Sequence, residues 1–167
     1  MTQKSETCCF TGHRMEKLPW GSDESDPNCR LLCKQISDAV EAVFASGVRH
    51  FICGMATGCD MYFCEAVIAL RAEHEELTLE AAIPWEGQSK GWSKELKTRY
   101  HRLVEECDFY TLVQEQYSSD CLMRRNRYMV DNSSVIIAAY SGRPGGTMST
   151  LLYAMRQGLE IIELAIE

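Results

Sequence analysis

The chain has 167 residues, 46% of them hydrophobic and 25% charged, with 17 Lys and Arg against 24 Asp and Glu. Such a length and composition fit one soluble globular domain over residues 1–167, and no apolar run approaches the ~20 residues that span a bilayer. A net charge of −7 argues against nucleic-acid binding, which depends on basic surface to neutralise phosphates.

The chain opens on a polar stretch, Met1 to Thr7, without the pattern of a signal peptide, so a cytoplasmic protein is expected. Thr7 to Thr11 then reads as a short buried strand, followed by a long polar loop from Lys17 to Asn28. From Cys29 to Ser46, apolar residues recur three and four apart at Leu32, Ile36, Ala39, Val40 and Val43, and Gly47 stops the pattern. That is an amphipathic helix with a C-terminal Gly. His50 to Cys53 is a second strand, Asp60 to Glu73 a helix, and Leu77 to Ile83 a strand closed by Pro84. Ser93 to Cys107 reads as a helix, Asp108 to Val113 as a weaker strand and Ser118 to Asn132 as a helix. The most apolar strand, Ser134 to Tyr140, leads to a helix over Thr147 to Gln157 and a final strand over Leu159 to Leu164. Strand–helix alternation along the whole chain predicts an α/β domain, a mostly parallel open sheet with helices on both faces.

The chemistry concentrates where strands end. Thr11-Gly12-His13-Arg14, Gly54-Met55-Ala56-Thr57-Gly58-Cys59-Asp60 and Pro144-Gly145-Gly146-Thr147 each follow an apolar run. Glycines let a backbone approach an anion closely, and a helix N-terminus carries partial positive charge. Each of Gly12, Gly54, Gly58, Gly145 and Gly146 can be a plain turn glycine. Three such loops at the carboxyl edge of one sheet, where open sheets bind ligands, favour a phosphate-bearing ligand. Arg14 and Arg143 lie in these loops, and Arg124, Arg125 and Arg127 cluster before the last apolar strand. An acidic protein with arginines gathered at loop ends matches a small anionic ligand.

Other residues carry two readings. Thr147 donates to a phosphate or caps the last helix. Asp60 starts the helix after Gly58, bonds a ribose hydroxyl, or acts as a catalytic carboxylate. Glu65, in an apolar helix segment, pairs with an Arg or supplies the same catalysis. Arg124, Arg127 or Tyr128, and Asp131 share one helical face while Arg125 and Asn126 point elsewhere; one face forms salt bridges and the other meets ligand. Trp20, Trp85 and Trp92 stack a base or pack on the sheet rim.

An odd count of nine cysteines with no C-x-x-C pair fits neither a disulfide framework nor a zinc site, and no metal is expected. Most act as small core residues. Cys29 and Cys33 lie one helical turn apart, the spacing of a metal pair, and Cys59 at a helix start is the candidate reactive thiol.

The motifs together resemble the YpsA-like branch of the SLOG superfamily, which also holds the Smf/DprA and LOG proteins. The resemblance rests on Thr11-Gly12-His13-Arg14 with Leu18-Pro19-Trp20-Gly21, on Gly54-Met55-Ala56 with Gly58, Asp60 and Glu65, and on Ile83-Pro84 with Gln88 and Trp92. It continues through Arg125-Asn126-Arg127-Tyr128-Met129-Val130-Asp131 and Gly145-Gly146-Thr147. It implies a single Rossmann-like domain with a site for a nucleotide or nucleotide-derived small molecule, formed from Gly12, His13, Arg14, Gly54, Met55, Gly58, Asp60, Arg125, Asn126, Gly145, Gly146 and Thr147. LOG-type phosphoribohydrolases carry Pro-Gly-Gly-x-Gly-Thr-x-x-Glu. Here Gly146 runs straight into Thr147, and neither Thr150 nor Leu152 supplies that Glu.

The expected role is therefore binding of a phosphorylated small molecule, as a sensor or adaptor. Glycoside hydrolysis through Asp60 or Glu65 is a rival, and DprA-like single-strand binding a second. No cofactor is assigned beyond a nucleotide-like ligand, no membrane partner is expected, and homo-oligomerisation is left open.

Overall fold

The computed structural model describes residues 2–166; Met1 and Glu167, the ends of the expected domain, lie outside them. Six strands, β1 (Thr7–Gly12), β2 (His50–Cys53), β3 (Thr78–Ile83), β4 (Phe109–Leu112), β5 (Val135–Tyr140) and β6 (Glu160–Ala165), form one sheet in the order β4-β3-β2-β1-β5-β6. Every strand pair is parallel, from Thr7 opposite His50 to Tyr140 opposite Ala165. Among the described residues five α-helices alternate with them: α1 (Pro27–Ala45), α2 (Cys59–Arg71), α3 (Lys94–Glu106), α4 (Cys121–Asp131) and α5 (Gly146–Arg156). This is the α/β, Rossmann-like domain that the alternation predicts.

Period-two alternation sorts the central strands onto two cores. Cys8, Phe10, Phe51, Cys53, Ile137 and Ala139 pack with α1 and α2, with Phe10 stacked on Phe63 at 4.6 Å between ring centroids. Cys9, Ile52, Ala82, Ile136 and Ala138 pack with Met129 and Val130 of α4 and Leu151 and Ala154 of α5. Strands covered on both faces have no polar side, so they read as continuous apolar runs.

Helix ends move where capping chemistry dictates. The first helix starts at Pro27, two residues before the predicted start, because Asp26 caps it by accepting the Asn28 N–H at 2.8 Å and proline suits the first turn. The fourth starts at Cys121 instead of Ser118, since Ser118 is spent on a turn closed by its bond to the Asp120 carboxylate at 2.7 Å. Among the described residues no helix is long and apolar enough to cross a membrane.

One buried polar cluster is invisible in the sequence. His50 joins its two ring nitrogens to Thr78 Oγ1 and Glu80 Oε1, each at 2.7 Å, and Glu80 Oε2 accepts from Thr111 and Tyr128 at 2.8 and 2.5 Å. Burial raises the Glu80 carboxyl's pKa, but the donors from His50, Tyr128 and Thr111 outweigh it and hold it below its ordinary value.

Candidate functional site

The strand order reverses direction between β1 and β5, and a crevice of about 230 Å³ opens beyond their carboxyl ends. Open α/β sheets bind ligands at such a switch point. The first loop supplies Gly12, His13, Arg14 and Lys17; α2 supplies Asp60; α4 supplies Arg125 and Asn126; and α5 supplies Gly146 and Thr147. Eight of the residues singled out in the sequence thus line one cavity. Gly54, Met55 and Gly58 lie behind its wall, Gly145 stands at its edge as the N-cap of α5, and Glu65 is elsewhere.

The three glycine loops turn out not to be equivalent. At the second, Gly58 adopts φ 81°, a conformation that favours glycine, and a Cβ there would come within 2.7 Å of Met15 N. The first N–H groups nearby are already used: Cys59 N–H donates to His13 O at 3.2 Å, and Ala56 N–H to Asp60 Oδ2 at 3.0 Å. These bonds stitch the second loop to the first and to Asp60. A Cβ on Gly54 would stand 2.6 Å from Arg125 Nη1, and one on Gly12 2.6 Å from Cys59 Cβ. Close packing therefore accounts for Gly12, Gly54 and Gly58.

The last loop is different. As at α2, no side chain caps α5, whose N-cap is Gly145; what sets this end apart is that nothing lies within 4 Å of where a Gly146 Cβ would stand. First-turn N–H groups have no acceptor within their own helix, so this end presents bare donors to the crevice. Thr147 is the second residue of the helix; its alternative role as N-cap is taken by Gly145.

Arg125 is 4% exposed and forms the floor. It donates to Gly54 O, to Ala82 O and Gln88 Oε1 at 3.4 Å, and through Nε to Asn126 Oδ1 at 2.8 Å. None of these partners is charged. Burial, only partly offset by Asp60, pulls its pKa below the ordinary value. Asp60 is buried too; burial raises its carboxyl's pKa against the opposing pull of Arg125, the Ala56 N–H and Arg14. Arg14, Lys17 and Arg125 face one acid, so the crevice is cationic within a protein of net charge −7.

His13 forms a wall. Ser141 N–H donates to its Nε2 at 3.0 Å, which makes Nε2 the acceptor and places the ring proton on Nδ1. Burial, then Lys17 and Arg143, lowers its pKa, in agreement with a neutral ring.

Other expectations resolve against their neighbours. Glu65 accepts from Arg99 at 2.5 Å and Arg102 at 3.3 Å, the ion-paired alternative, and does not line the crevice. Arg124 pairs with Asp120 at 2.9 Å on the surface, so the Arg125–Asn126 face of α4 is the one at the crevice. Cys59 is fully buried, and burial pushes its thiol far above the ordinary value; helix position does not make it reactive. Cys29 and Cys33 are free thiols, and burial with Cys29 beside it pushes Cys33 up to about 12. Trp20 donates to Tyr62 Oη at 3.2 Å, Trp85 packs on Tyr117 and Trp92 on Tyr100, which is the rim-packing reading for all three.

Lys17 escaped sequence reading, and Gln88 entered it only as part of a motif, without a role. Lys17 looked like the first residue of a polar loop, but the 3-10 turn Met15–Lys17 folds it back over the crevice. Gln88 donates to Gly54 O and Met55 O at 3.3 Å, holding Met55 at φ 59°. A non-glycine residue there costs about 1–3 kcal/mol and persists only where its surroundings fix it.

A family model for YpsA, described as the YspA SLOG family, matches residues 8–163. The chain belongs to the YspA SLOG family. It is 32% identical over 139 residues to the SPbeta prophage-derived protein YoqJ of Bacillus subtilis (strain 168), covering 76% of this chain and 81% of YoqJ. It is 25% identical over 121 residues to UPF0398 protein BH1768 of Halalkalibacterium halodurans, covering 71% and 64%. Among solved structures it resembles DNA processing protein A (DprA) from Streptococcus pneumoniae, with a TM-score of 0.64 at 17% identity over 96% of this chain and half of DprA. It also resembles TM1055, with a TM-score of 0.55 at 14% identity over 93% of this chain and 72% of that one. At these identities the structural likeness concerns the fold, and the membership in the SLOG family rests on the sequence match.

Proposed function

We propose that the protein binds the phosphate group of a nucleotide or nucleotide-derived small molecule in the crevice between β1 and β5, as a sensor or adaptor. One observation carries the reading. Lys17 Nζ stands 3.1 Å from the place of a Gly145 Cβ, at the uncapped start of α5, with Arg14 and the buried Arg125 lining the same cavity. Cations beside a helix N-terminus repel its partial positive charge, and a bound anion converts that repulsion into attraction. Each charge-assisted hydrogen bond so formed contributes about 1.5–3 kcal/mol. Nine free cysteines support a reducing compartment such as the cytoplasm.

Titration with inorganic phosphate, followed through backbone amide resonances, tests the reading. The amides of Gly146 and Thr147 are expected to shift together and saturably. Shifts scattered over the surface, with none at those two residues, would remove the site.

Asp60 keeps hydrolysis as a second reading. It is the acid that lines the crevice among the described residues, and burial favours its protonated form. A glycoside hydrolase needs a carboxyl group in that role. Net charge −7 weighs against the single-strand nucleic-acid reading.

A further inference from the structure

The cationic crevice is too small for a whole nucleotide. Its volume of about 230 Å³ falls short of the ~300–1,000 Å³ usual for small-molecule sites. Two neighbouring cavities could take the remainder. One, of about 540 Å³, touches the crevice at His13 and Lys17; the other, of about 480 Å³, lies between α4 and α5 and shares Leu122, Asn126 and Gly146 with it.

Hydrogen bonds distinguish the two directions. Toward the first cavity, His13 Nε2 is tied to Ser141 N and Oγ, both at 3.0 Å, so the ring nitrogen on that side is already spent. Toward the second, Asn126 uses its Oδ1 on Arg125 Nε and leaves its NH₂ at the junction. The bond that spans α4 and α5 there, from Tyr153 Oη to Asp131 at 2.7 Å, lies one to two helical turns further along.

The lining of the α4–α5 groove is specific. Leu122, Met123 and Leu152 are 38%, 46% and 47% exposed, an apolar strip left in water. Tyr153 is fixed by Asp131 at its hydroxyl and by the Arg127 guanidinium, 5.0 Å from its ring centroid. Among the described residues no Asp or Glu lines the groove, so it does not match a cationic group.

Resting on the phosphate-binding reading, we infer that the ligand is a nucleoside phosphate whose planar base lies in the α4–α5 groove, against Leu122, Met123 and Leu152, while its phosphate sits at the start of α5. The phosphate anchors and the groove discriminates. Asn126 and Gly146 mark the passage where the sugar crosses.

Calorimetric titrations with inorganic phosphate and with the four ribonucleoside 5′-monophosphates test this on the wild type and on the double variant Met123→Asn, Leu152→Asn. Both positions are about half exposed, so the fold should tolerate the change. At least one nucleotide should bind wild type tenfold or more tightly than phosphate does, and the double variant should lose that advantage while keeping phosphate affinity within twofold. Phosphate binding with no nucleotide advantage, or an advantage untouched by the double variant, overturns the inference and leaves the phosphate site standing. Absence of binding by phosphate and every nucleotide overturns both. Sedimentation on the same samples covers the remaining occupant: a dimer lost in the double variant with nucleotide affinity unchanged would assign the groove to a second copy of the chain and overturn the inference.

Discussion

Gly54 and Arg125 are built around each other. The guanidinium donates to the Gly54 carbonyl, and a Cβ at Gly54 would stand 2.6 Å from Nη1 and 2.7 Å from Cζ. Arg125 therefore reaches the crevice floor only because residue 54 has no side chain. The Gly54→Ala variant should be destabilised by about 1–3 kcal/mol, the usual cost of overpacking a buried site. It should also bind phosphate less well, because the guanidinium must shift. Urea denaturation and phosphate titration of the same variant check both halves; a variant as stable as wild type would show that Arg125 adapts freely.

Lys17 and Arg124 should behave oppositely. Lys17 overhangs the start of α5, whereas Arg124 pairs with Asp120 at the surface with its side chain 61% exposed. Lys17→Gln should weaken phosphate binding severalfold with no loss in melting temperature, since it removes a cation from the positive end of a helix. Arg124→Gln should leave both unchanged within about 0.5 kcal/mol, as exposed pairs contribute little. Equal effects of the two substitutions on affinity would mean that general charge, not position, governs binding.

The pH dependence follows from His13. Its pKa is lowered in the folded protein, by burial first and then by Lys17 and Arg143. Above the unfolded value of about 6.5 both states are neutral and the group contributes no pH dependence. Below it the unfolded chain binds a proton that the folded chain resists, so stability falls as pH drops toward the folded pKa. Denaturant midpoints should decline between pH 7 and pH 5, and the decline should be smaller in His13→Gln. Parallel profiles for the two proteins would exclude His13 as the cause.

Hydrolysis should be absent or very slow. A positioned phosphate does not by itself stabilise charge that builds up at the sugar carbon; a nearby carboxylate is needed. Glu65 is held by Arg99 and Arg102, which leaves Asp60 to serve. Base release from a nucleotide panel, followed by chromatography for wild type and Asp60→Asn, decides the matter. Asn can still accept the Ala56 N–H. Robust release by wild type that disappears in the variant would make the protein an enzyme.

The sheet was legible because β1, β2 and β5 are covered on both faces and must read as apolar runs. The cavity was legible to the extent that its residues follow strand ends: His13, Arg14, Asp60, Gly146 and Thr147 all do. What a glycine is for was not legible. Gly12, Gly54 and Gly58 answer to Cys59, Arg125 and Met15, neighbours that only folding brings near. Lys17 depended on a turn whose residues carry no strong signal, and the partners of Glu65 lie 34 and 37 residues away on α3.

Gly146 offers the most direct test of the central claim. A Cβ there meets no neighbouring element within 4 Å, so Gly146→Val should fold, and it adds side-chain bulk to a residue that lines the crevice. Calorimetric titration with inorganic phosphate and the ribonucleoside 5′-monophosphates, on wild type and on this variant with matched melting curves, gives the answer. A loss of tenfold or more in affinity, about 1.4 kcal/mol, is the result expected. Unchanged affinity in a folded Gly146→Val protein would contradict the assignment of the phosphate to the start of α5.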